Sequence, residues 1–167
     1  MQRHIAQCVF GNIECPYLHC TKWMQLRDVA DHLKDTHGKI LWVKAKGPQC
    51  SINFNLPHQL KAIKRFDGYS FILNCYKEES TLIFWVQIIG TEEDAQQYEV
   101  KMSATSVDAT TNVNTQGKVY SIEKRKGEVL NESDGFLEIG KKMATRLVTR
   151  DADGELGVEV IFIIVRK

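Results

Sequence analysis

Two cysteines and two histidines near the N-terminus restrict this chain more than anything else in it. Cys15 and Cys20 have four residues between them, His32 and His37 have four, and eleven separate the two pairs. A Zn²⁺ ion takes four N/S ligands in a tetrahedron, and close-set thiolates followed by close-set imidazoles on a helix supply them. The same residues could be two buried thiols and two surface histidines. Each ligand type occurs as a pair around a helical stretch, which favours the metal. Four protein ligands close the coordination sphere and leave no position for an activated water, so the expected Zn²⁺ is structural.

The stretch between the pairs predicts a helix over Leu26–Thr36, with Leu26, Val29, Ala30 and Leu33 on one apolar stripe. His37 lies five residues beyond His32, about 140° around an ideal helix. Both rings can meet one ion only if the last turn distorts or stops, and Gly38 supplies the left-handed cap for that. Upstream, His4 and Cys8 have the spacing of the back half of another finger, or are incidental.

The 167 residues carry a formal net charge of +1, so no global charge calls for a polyanion partner. Three of the five cysteines lie in the first 20 residues, and Cys50 and Cys75 stand alone. That is no disulfide framework. It predicts a reducing compartment, cytosol or nucleus, with cysteines used for metal in front and as small core residues behind. No run is long enough to span a membrane. The expected organisation is a finger region, 1–38 (a truncated first finger at 1–8, a complete second one at 15–37), and a β domain, 39–167.

Beyond residue 38 strand signals dominate. Lys39–Lys46, Cys50–Leu56 and Tyr69–Tyr76 read as strands, with Tyr69, Phe71, Leu73 and Cys75 on one face. Leu60–Phe66 is either a strand or a short helical turn. Thr81–Ile89 is apolar nearly throughout and predicts a central strand covered on both faces. Thr91 caps a short acidic helix to about Gln97. Tyr98–Thr105 alternates, with Tyr98, Val100, Met102 and Ala104 inward. Ser106–Gln116 reads as a long loop, Lys118–Lys124 as the returning strand and Lys126–Gly135 as another loop. Phe136–Ile139 is a short apolar segment, Met143–Thr149 a strand, Asp151–Gly154 a turn, and Gly157–Val165 the final strand. Seven or eight strands without strand–helix alternation predict a mainly β chain, an antiparallel β-sandwich.

No phosphate loop, nucleophile elbow or HExxH motif is present. Asp151, Asp153 and Glu155 lack the further ligands and flanking helices of a calcium loop. The predicted finger helix sets Arg27 and Lys34 against Asp28, Asp31 and Asp35, a balance that repels a phosphate backbone. A β-sandwich without a catalytic cluster works through edges and loops, and an edge strand accepts an extended peptide by β-augmentation. Cys50–Phe54 (Cys50, Ser51, Ile52, Asn53, Phe54), short and mixed in polarity, is the edge candidate, though it could be a simple blunted edge.

The order of these features resembles the seven in absentia (Siah-type) family of RING ubiquitin ligases. Cys15, Pro16, Cys20, Trp23, His32, Leu33 and His37 carry the likeness in the finger. Further along come Asn55, Leu56 and Pro57, then Gly68, Tyr69 and Phe71, then the run Val86 to Thr91, then Ala95, Tyr98, Gly157 and Val158. His4 and Cys8 match the tail of the family's first finger. The likeness spans nearly the whole chain, and the finger spacing and the Val86–Thr91 run are its most specific parts. It implies a TRAF-like sandwich over 39–167 that dimerises and binds substrates or adaptor proteins through extended peptide segments. The fragment would then bring targets to ubiquitination, with an E2 enzyme engaged only through a RING upstream. Leu60, Ala62 and Ile63, beside the Asn55–Pro57 match, join Cys50–Phe54 as groove candidates by this likeness. Departures are a tighter cysteine pair and the absence of the family's acidic-aromatic pair and of its Trp-led segment, whose place Val119–Lys124 takes. An adaptor without ligase function, and less so a nucleic-acid-binding finger, are the other readings.

Overall fold

The computed structural model describes residues 12–17, 20–37, 40–44, 46–55, 61–132, 134–150 and 156–167. The expectations for His4, Cys8, Gly38, Leu60 and the Asp151–Gly154 turn lie outside these residues.

Two short strands, β1 (Asn12–Glu14) and β2 (Trp23–Gln25), pair antiparallel. A 3₁₀ turn over Leu26–Asp28 leads into helix α1 (Val29–Thr36), which buries Val29, Ala30, His32 and Leu33. The apolar spacing read from the sequence produces this helix, but its first turn is tighter than an α-helix.

Beyond the finger, the strands of the described residues form two sheets packed face to face. The first sheet has six strands. They are β3 (Leu41–Val43), β5 (Lys61–Phe66), β6 (Tyr69–Glu78), β7 (Thr81–Ile88), β10 (Tyr120–Ser121) and β11 (Leu137–Ile139). Its order is β10-β7-β6-β5-β3, with β11 also on β7. The second sheet has five strands: β4 (Gln49–Asn55), β8 (Tyr98–Thr105), β9 (Asn112–Lys118), β12 (Val148–Arg150) and β13 (Leu156–Arg166). Most pairs are antiparallel, while β3 on β5 and β10 on β7 are parallel. A mainly β sandwich is therefore what the sequence forms, with more strands than the expected seven or eight because several last only two or three residues.

Alternation sets the interior. Phe71, Leu73 and Cys75 of β6 and Leu82, Phe84, Val86 and Ile88 of β7 meet Phe54, Val100, Met102, Phe162 and Ile164 of the other sheet. Phe54 packs edge-on against Phe84 and Phe162, with ring centroids 5.2 and 5.9 Å away. β7 is covered on both faces, as its unbroken apolar run predicts: Ile83 and Trp85 point away from the sandwich interior and pack with Tyr120 and Val129. β5 and β6 join through Asp67 and Gly68, both at positive φ (52° and 80°), the two-residue hairpin that Asp-Gly favours. The Tyr98 hydroxyl donates to the Asp67 carboxylate at 2.7 Å, and Arg166 reaches the same group at 3.1 Å.

Three segments differ from the sequence reading. Asn112–Gln116 is not loop but the greater part of β9, in full register with β8; the hairpin turn is only 106–111. Tyr120 and Ser121 do not continue that hairpin but cross to the other sheet, beside β7. Met143–Thr149 is not one strand. Its greater part is helix α4 (Lys141–Leu147), since Ala144 and Leu147 share one helical face against the core, and β12 follows. Two further short helices lie among the described residues. In α2 (Glu92–Gln96) Thr91 and Asp94 form a reciprocal capping box. α3 (Lys126–Leu130), which lies where a loop is expected, buries Val129.

Candidate metal centre

β1 and β2 bring the cysteines together. The Cys15 amide donates to the Lys22 carbonyl at 2.9 Å, continuing the β1–β2 ladder, and the Cys20 amide donates to Tyr17 at 3.1 Å to close the turn. α1 supplies His32 from its interior. It ends at Thr36, so His37 sits at the cap with φ −115° and ψ 63°, off the helical path, while its amide still bonds the Leu33 carbonyl at 3.2 Å. The helix therefore stops where two imidazoles five residues apart require it to stop.

The four ligand atoms lie within 4.8 Å of one another. Cys15 Sγ is 3.5 Å from His37 Nε2, and Cys20 Sγ is 3.5 Å from His32 Nε2. With metal–sulfur bonds of about 2.3 Å and metal–nitrogen bonds of 2.0–2.1 Å, a tetrahedron has S···N edges of about 3.5 Å. Both observed edges match that value. Cys15, Cys20, His32 and His37 are thus positioned to bind a metal ion. Among the described residues theirs is the one group of His, Cys, Asp and Glu side chains placed to do so.

Neighbouring groups orient the ligands. His32 Nδ1 lies 3.1 Å from Thr36 Oγ1; with Nε2 bound to a metal, Nδ1–H would donate to that hydroxyl, which would fix the tautomer. The Tyr17 amide donates to Cys15 Sγ at 3.4 Å, and the Tyr17 ring stacks on His37 with centroids 4.1 Å apart. Burial pushes the Cys15 thiol up to about 11. Burial also holds both imidazoles below their ordinary value, at His32 with help from the charges of His37 and Lys22. Neutral imidazoles are ready ligands, whereas the thiols must give up protons to the solvent as an ion binds.

The finger rests on the sandwich. Cys15, Met24, Val29, Leu33 and Ile40 share one apolar cluster with Ile63 of β5, Ile72 of β6 and Ile122. Lys61 lies on this same outer face, buried, donating to the Asn74 side chain. Burial lowers its ammonium to about 8, with the Cys15 sulfur acting in the opposite direction. Gln87 accepts from Asn74 and from the Trp85 indole and donates to the Lys124 carbonyl. Nothing in the apolar pattern announced this buried polar row: Asn74 and Gln87 interrupt apolar runs of β6 and β7, but Lys61 stands in a strand that also carries Lys64 and Arg65.

The groove candidates fall on different surfaces. β4 is an edge strand, paired only with β13 among the described residues. Cys50, Ile52 and Phe54 face the core, and burial raises the Cys50 thiol against the opposing pull of Lys64. Ser51 faces outward, bonded to Glu159, and Asn53 is half-buried with an unpartnered Oδ1. Ala62 and Ile63 do not line a groove: both are buried, and β3 occupies the edge of β5 that a peptide would need.

No helix among the described residues is long and apolar enough to cross a membrane. Models of known protein families give no match to the chain, and neither do the sequences of characterised proteins.

Proposed function

We propose that this chain is a protein-binding module, the substrate-recognition part of a Siah-type ubiquitin ligase, in which a structural Zn²⁺ finger and a TRAF-like sandwich act as one rigid body. The observation that carries the reading is the shared core of finger and sandwich: Val29 and Leu33 bury against the sheet of Ile63 and Ile72. The ion then shapes a surface and performs no reaction. Thiolate and imidazole ligands in a tetrahedron suit Zn²⁺ above the oxygen-seeking cations.

The edge of β4 is the proposed peptide-accepting strand. Its backbone would pair with an extended segment while Ser51 and Asn53 offer polar contacts. Selection from a displayed peptide library, followed by hydrogen exchange on the complex, tests this. The expected result is new protection confined to Gln49–Asn55 and the strand it pairs with. Protection elsewhere, or no selected peptide, overturns the β4 assignment. The ligase role is tested by fusing a RING to the chain and presenting a protein that carries the selected peptide. Ubiquitin transfer dependent on that peptide is expected; binding without transfer leaves the adaptor reading in its place.

A further inference from the structure

A cleft of about 410 Å³ opens between the finger and the sandwich, lined by Asp31 and Lys34 of α1, Trp42 and Val43 of β3, Lys44, Lys46 and Arg65. Four of these side chains are cationic and one is anionic. None of the four cations joins an ion pair among the described residues. Lys34 Nζ and Arg65 Cζ stand 5.7 and 5.8 Å from the Trp42 ring centroid. The Trp42 indole nitrogen is buried and has no acceptor. Among the side chains lining the cleft, every charged or unpartnered group but the Asp31 carboxylate is therefore a donor, and what these side chains lack is acceptors.

β3 forms one wall. It closes the six-stranded sheet, pairing only with β5 among the described residues, and Leu41 at its start is half exposed. We infer that the cleft receives the carboxylates of an acidic polypeptide segment of a partner protein, laid along the free edge of β3. This rests on the reading of the chain as a protein-binding module but uses a surface separate from β4. Strand addition supplies backbone bonds, and the cations supply selection for glutamate or aspartate. A nucleic acid fits less well. The cleft is short, and the backbone edge of β3 (Leu41–Val43) left unpaired among the described residues offers strand pairing that a polypeptide can use and a phosphodiester chain cannot.

The test uses the metal-loaded chain and a fluorescein-labelled peptide carrying a run of glutamates in a glycine–serine frame. Its glutamine counterpart and an oligothymidylate of equal charge are the comparisons. Fluorescence anisotropy should show saturable binding of the glutamate peptide only, weakening as salt is raised. Lys44→Glu with Arg65→Glu should weaken it at least about tenfold, while Arg65→Lys retains most of it. All these positions are exposed, so circular dichroism and metal content should match the parent. Unchanged affinity in the double variant, no saturable binding of the glutamate peptide, or tighter binding of the oligothymidylate each overturns the inference. If the glutamate peptide fails while a library-selected peptide still protects β4, the acidic cleft falls and the module stands; if both fail, the module reading falls too.

Discussion

Replacing Leu33 with alanine distinguishes a finger that shares the sandwich's core from one merely tethered to it. Leu33 is fully buried on α1, in the cluster that holds Ile63 and Ile72. Leucine-to-alanine changes at such sites cost about 2–5 kcal/mol, the spread reflecting how far the cavity collapses. Here the wall opposite is a sheet, which gives little, so about 3 kcal/mol is a fair central value. Unfolding entropy of about 2 cal/mol/K per residue converts that to a fall in Tm of about 9 °C for a chain of this size. Calorimetry with saturating Zn²⁺ reads it directly. A shared core demands that the main transition of the sandwich move. It also demands that Leu33→Ala and Ile72→Val couple by about 0.5–3 kcal/mol in a double-mutant cycle. If the sandwich transition stays in place while metal affinity alone falls, the finger is independent and the reasoning fails.

Cys20→Ser should abolish stoichiometric metal binding, where the parent binds one ion per chain and, with Co²⁺ substituted, shows the absorption of a tetrahedral thiolate site; an unchanged metal content in the variant counts against the four-ligand site. Iodoacetamide near neutral pH should leave Cys50 and Cys75 unmodified in the native protein, because both are buried and burial drives the Cys75 thiol up to about 12, whereas the half-buried Cys20 should react once a chelator removes the ion; rapid native labelling of Cys75 contradicts this. Acid should weaken the metal-free fold through His32 and His37. Their folded values lie below the unfolded 6.5, so the unfolded chain holds more protons between the two values and stability falls as pH drops through that window; a finger transition in urea that is no weaker at about pH 5 than at about pH 7 refutes it. Gly117→Ala should destabilise by about 1–3 kcal/mol or more, since its Cβ would come 2.2 Å from the Gly135 Cα, and a wild-type Tm would show that the two backbones can part.

The clustering of Cys15, Cys20, His32 and His37 was legible because metal chemistry fixes residue types and spacings, and the helix end at His37 followed from geometry alone. β7, β8 and β13 were legible because each buries one or both faces and so carries a period or an unbroken apolar run. β9 was not: Asn112, Asn114 and Gln116 look outward and its other positions are only partly covered, so register with β8, a long-range fact, makes it a strand. α4 was misread for another reason. It runs straight on into Val148 and Thr149 of β12, and that β-branched tail obscured the Ala144–Leu147 face that decides for helix. The parallel pairing of β3 beside β5, which removes Ala62 and Ile63 from any groove, depends on where the chain returns and leaves no local mark.

The finger's place over Ile63 and Ile72 would tie an ion bound there to more than local order. Those two side chains, with Ile122, are covered by the finger's apolar residues. A chain that loses its ion and lets the finger unravel uncovers an apolar patch in the middle of a sheet face, the kind of surface that draws folded proteins into association and marks them for removal. Scarcity of the metal would then be felt as shortened lifetime of the whole molecule, and the supply of the ion during synthesis would set how much of the chain persists.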